Sequence, residues 1–76
     1  MIADTVIEII AQQLLIDDSE ISMRSYLEDD LGMDELDRAE VISGFESEFG
    51  IRIPDRDADG FETVRDIVSY IEENAD

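Results

Sequence analysis

The fold this sequence predicts is all-α: a small four-helix bundle with three principal helices, one short helix and a long first loop. Three observations lead there. The chain has 76 residues and neither Cys nor His, so no disulfide or zinc cluster staples it and one apolar core must hold it. Hydrophobic residues make up 43% of the chain, which is enough for such a core and argues against disorder. Apolar residues also recur at helical spacing in three separate stretches. One domain over residues 1–76 is expected.

The first helix is expected over about residues 3–15, where Val6, Ile9, Ile10 and Leu14 share a face. The next stretch, "IDDSEISMRSYLEDDLGM", has Ser and Asp punctuation and no sustained period. Its scattered apolar residues, Ile16, Ile21, Tyr26, Leu27 and Leu31, read as anchors that pin an ordered loop to the core. Asp34 is the N-cap of a second helix over about 35–49, and Asp37 three residues on comes near to a capping box. Leu36, Ala39, Ile42, Phe45 and Phe49 are read as its apolar stripe, with Val41 beside it. Gly50 terminates it. Gly44 in its interior costs about 1 kcal/mol of helix propensity and marks either close packing or a cavity.

"IRIPD" is a short extended link, because the residue before Pro54 is driven out of the α region. Residues 55–60 suit a short helical turn. Thr63 caps a last helix whose Val64, Ile67, Val68 and Ile71 follow the i, i+3, i+4, i+7 pattern.

Charge narrows the function. There are 22 acids against five bases, all Arg, for a net charge of -17. Such a chain repels nucleic acid and anionic membranes, and its natural complement is a basic protein surface. Solubility alone also suits this charge. No apolar run is long enough to span a bilayer and no secretory signal opens the chain, so a cytoplasmic monomer is expected. With so many acids, adjacent carboxylate pairs are inevitable and carry no catalytic signal. No catalytic residue is identified, and no enzyme is expected.

"LEDDLGMDELDRAEVISGFESEFGIRIPD" followed by "TVRDIVSYI" resembles the acyl carrier proteins of fatty-acid and polyketide synthesis. The resemblance runs the length of the chain. In that family an Asp-Ser-Leu motif opens the second helix, and its Ser is joined through a phosphodiester to 4′-phosphopantetheine, whose thiol carries the acyl chain. Matched position by position, the Asp is Asp34, the Leu is Leu36, and the Ser position is Glu35. The resemblance places partner recognition on Asp34, Leu36, Asp37, Glu40, Glu46 and Glu48, facing basic surfaces of synthase or acyl-transfer enzymes. Ser47 interrupts that face, and Arg38 within it would weaken or redirect docking. The family's acyl pocket would draw on Val41, Ile42, Phe45, Ile53, Phe61, Ile67 and Ile71, although these residues also read simply as core.

Glu35 has no hydroxyl, and attack by its carboxylate would give a labile mixed anhydride. No 4′-phosphopantetheine cofactor is therefore expected at position 35. Glu35 does put one negative charge where the phosphodiester would carry one, at a helix N-terminus that favours it. Two histories fit. One is a natural carrier-like protein that lost loading and kept partner binding. The other is a genuine acyl carrier protein in which Ser was replaced by Glu through engineering.

"DRDADGFETVRD", residues 55–66, sets a rival reading. Asp55, Asp57 and Asp59, with Asp66 at the twelfth place, have the spacing of a calcium loop, as in a calcium-responsive acidic module. Asp at the last place, Glu62 at a normally apolar place and Pro54 before the loop all depart from that pattern. Weak cation binding without a specific metal site is the expectation.

Overall fold

The computed structural model describes residues 1–75. Among them are four α-helices: α1 (Ile2–Leu14), α2 (Glu35–Phe49), α3 (Asp55–Asp59) and α4 (Val64–Asn74). The architecture is the all-α one that the sequence predicts. Among the described residues there is no β-strand, only an isolated bridge between Tyr26 and Thr63.

α1 buries Val6, Ile10 and Ala11 and packs against both α2 and α4. It ends at Leu15, which adopts the left-handed conformation at φ 58° and is 90% exposed. A side chain in that conformation costs about 1–2 kcal/mol, and burial returns little here. Leu15→Gly is therefore expected to stabilise the fold by about 0.5–1 kcal/mol, a rise of a few degrees in Tm. Thermal unfolding followed by circular dichroism checks this. A lower Tm would mean that the Leu15 side chain holds the turn.

α2 opens on a complete capping box. Asp37 N donates to Asp34 Oδ1 at 2.7 Å, and Asp34 N donates to Asp37 Oδ2 at 3.3 Å. The shorter Asp closes the box where Glu is usual. Gly50, at φ 64°, ends the helix as expected. A Cβ on Gly44 would lie 3.2 Å from Ile9 Cγ2, so this glycine serves close α1–α2 packing.

The expected apolar stripe on α2 is corrected. Val41 and Phe45 are its buried residues, whereas Leu36 and Ala39 are exposed and Ile42 and Phe49 half-buried. The cause is helical geometry. Successive i+3 steps drift by about 60° each, so Leu36 and Phe45 fall on opposite faces.

The first loop is ordered. A 3-10 turn at Asp18–Glu20 is closed by its own Asp17/Glu20 capping box. Ile21, Leu27 and Met33 are buried. Met33 was not among the expected anchors, and Tyr26, which was, is 49% exposed. The loop backbone is tied to the start of α4: Leu27 N donates to Glu62 O at 2.9 Å, Val64 N to Ser25 O at 3.1 Å and Arg65 N to Met23 O at 3.0 Å. These bonds satisfy backbone groups that would otherwise be orphaned beneath the loop. α4 buries Val64, Ile67, Val68 and Ile71, the four positions its spacing indicated.

Candidate functional site

Glu35 is the first residue of α2 and lies exposed beside the Asp34 cap. The helix dipole favours negative charge there. Leu36 follows it and is 68% exposed, an isolated apolar side chain among acids.

The acids of the expected recognition face divide into two sets. Asp34 and Asp37 are committed to the capping box, and Asp37 Oδ1 also accepts from Gln13 Nε2 of α1 at 3.3 Å. Glu46 is half-buried and turns back, its Oε2 accepting from Ile53 N at 2.7 Å. Glu35, Glu40 and Glu48 are exposed, and among the described residues their carboxylates take part in no hydrogen bond or ion pair. Glu40 and Glu48 are eight residues apart, about 80° round the helix axis, so they bound one quarter of its surface.

Arg38 does not stand in the outward acidic face, contrary to the expectation from sequence. Its side chain is only 16% exposed. Nη1 donates to Ala58 O at 2.9 Å and Phe61 O at 3.0 Å, and Nη2 lies 3.5 Å from Glu28 Oε2. The guanidinium adds a charged donor to Ala58 O, which also accepts from Phe61 N at 3.2 Å, and to Phe61 O just beyond the helix. No periodicity or spacing signals this role, because the carbonyls belong to residues more than five helical turns away in the sequence.

An open groove with a volume of about 520 Å³ runs between α2 and α3. Ala39, Ile42, Ile53 and Ala58 form its apolar part, with Glu35 and Glu46 among its polar residues. Of the expected pocket residues, Ile42 and Ile53 meet here. Val41, Phe45, Phe61, Ile67 and Ile71 lie in the core cluster. Ser43 also lines the groove and is exposed, but it stands eight residues beyond Glu35, about 12 Å along the helix. Ser25, in the first loop, is buried, and its Oγ accepts from Ser22 N at 3.0 Å.

The calcium-loop spacing does not become a calcium loop. Asp55, Asp57 and Asp59 lie in the helix α3, so they do not wrap round a common centre. Asp57 Oδ2 accepts from Tyr70 OH at 3.1 Å. Asp66 belongs to the Thr63 capping box, where its Oδ2 accepts from Glu62 N and Thr63 N. Among the described residues no three His, Cys, Asp or Glu side chains are grouped to hold a metal ion. The Tyr70 phenol is held above its ordinary pKa by burial and by the Asp57 carboxylate. Among the described residues no helix is long and apolar enough to cross a membrane.

A family model described as a phosphopantetheine attachment site matches residues 4–71. Acyl carrier proteins from three strains of Clostridium perfringens, SM101, ATCC 13124 and 13, are each 48% identical over 73 residues, covering 96% of this chain and 96% of theirs. The matched segment runs from α1 into α4 and takes in the capped entrance to α2. The chain belongs to the acyl carrier protein family, whose members are carriers and not enzymes.

Proposed function

We propose that this protein is an acyl-carrier-type docking protein of fatty-acid or polyketide-type biosynthesis, which presents α2 to basic surfaces of synthase or acyl-transfer enzymes and carries no covalent arm at position 35. The family normally carries 4′-phosphopantetheine. The observation that carries the proposal is Glu35, an exposed carboxylate at the first position of α2, where the family's Asp-Ser-Leu motif would place the nucleophilic hydroxyl. The residues there do not fit the group: the chemistry needs an oxygen that can form a stable phosphodiester, and neither Ser43 nor Ser25 is in its place. What remains suited to a partner is the exposed set Glu35, Leu36, Glu40 and Glu48, while Asp34 and Asp37 cap the helix and Glu46 is tied to Ile53 N. In this reading the protein works as a cytoplasmic monomer of one domain.

The test is mass spectrometry of the intact chain after incubation with coenzyme A and a broad-specificity phosphopantetheinyl transferase. No gain in mass is expected for the protein as it stands, and Glu35→Ser is expected to gain one phosphopantetheine. A mass gain on the unaltered chain overturns the proposal. An inert Glu35→Ser would show that departures beyond position 35 separate this chain from carriers that can be loaded.

A further inference from the structure

α1 holds α2 and α4 together, and α3 makes no comparable helix-to-helix contact. The segment from Ile53 to Phe61 is instead fastened to α2 by two side chains. Arg38 reaches its far end through Ala58 O and Phe61 O. Glu46 reaches its near end by accepting from Ile53 N. Arg38 and Glu46 are eight residues apart, about 80° round the axis of α2, near enough for both to reach the same segment. Both line the groove between α2 and α3. We propose that Arg38 and Glu46 form a two-point clasp that holds the α3 segment against α2 and sets the width of the groove, with Arg38 as the positioning residue at its α4 end. This inference does not depend on the state of position 35.

α3 has only five residues, Asp55–Asp59, too short to be stable by its own hydrogen bonds. Ala58 O already accepts from Phe61 N at 3.2 Å; Arg38 adds a second donor there and supplies one to Phe61 O, beyond the helix end. Charged partners make such bonds stronger than neutral ones, and Arg38 offers a guanidinium nitrogen that bridges two carbonyls at once. Glu46 does the corresponding work at Ile53, where the chain leaves the extended link and no helical partner is available for the amide. The anchors Ile53, Ala58 and Phe61 are buried, so release of the clasp lets the backbone open locally while the rest of the core stays packed. Tyr70 of α4 supports the same segment from the other side through Asp57.

Amide hydrogen exchange by NMR on the full chain tests the clasp. Arg38→Met keeps an unbranched apolar stem and removes the donors. It is expected to raise exchange about tenfold at the Ala58, Gly60 and Phe61 amides. The amides of Ile10 in α1 and Val68 in α4 are expected to stay within about twofold of their original rates. Glu46→Ala is expected to raise exchange at Ile53, and Glu46→Gln, whose amide oxygen still accepts from Ile53 N, to restore protection. Arg38→Lys keeps a charged donor on a shorter stem and is expected to restore part of the protection at Phe61. Unchanged exchange in residues 53–61, or an equal rise at Ile10 and Val68, overturns the proposal. Failure of Arg38→Met to fold also overturns it, because a clasp of this kind can be released without loss of the α1, α2 and α4 core.

Discussion

Phe45→Ala is expected to leave the chain largely unfolded at physiological temperature. Phe45 is fully buried at the middle of α2, within the cluster that joins α1, α2 and α4. Removing a buried aromatic ring costs about 3–5 kcal/mol in lost transfer energy and residual cavity. A chain of this length has a total stability of only about 4–11 kcal/mol, so one side chain consumes much of the margin. The net charge of -17 gives no compensation, since like charges repel more strongly in the compact state. Phe45→Leu keeps most of the volume and is expected to lose about 1–1.5 kcal/mol. Urea unfolding of the two variants beside the original chain checks the ranking. If Phe45→Ala loses no more than Phe45→Leu, the core does not centre on this ring.

The same residue marks where the sequence was legible and where it was not. α4 was readable because its period, its Thr63 cap and its buried positions agree with one another. α2 was readable as a helix, from Asp34 to Gly50, because both end signals are local. Its buried face was not, because a chain of i+3 steps looks like a stripe in the sequence and winds half-way round the helix in space. Leu36 thus moved from expected core to exposed surface, and Val41 became, with Phe45, the centre of the packing. The acidic face shows a similar limit. Asp34 and Asp37 announce their cap by a three-residue spacing. The roles of Glu46 and Arg38 depend on carbonyl and amide groups brought near only by the tertiary fold. The calcium spacing misleads for the converse reason: Asp66 satisfies a capping pattern and a cation pattern at once, and the helix takes it.

Docking through α2 has the other large expected effect, and the division of its acids decides which substitutions can test it. Changing Asp37 or Glu46 would disturb a cap or the α3 segment as well as the surface. Glu40 and Glu48 are exposed and uncommitted, so Glu40→Lys with Glu48→Lys changes the surface and leaves these bonds intact. Glu8→Lys with Glu72→Lys, on exposed positions of α1 and α4, is the matched control with the same change in net charge. The decisive measurement is the affinity and association rate of a ketosynthase or acyltransferase of fatty-acid synthesis for this chain without any acyl arm, at two salt concentrations. A loss on the order of tenfold is expected for the α2 pair, mostly in a salt-dependent association rate, and about twofold or less for the control. Equal losses for the two pairs, or no measurable binding by the unaltered chain, would rule out docking through α2.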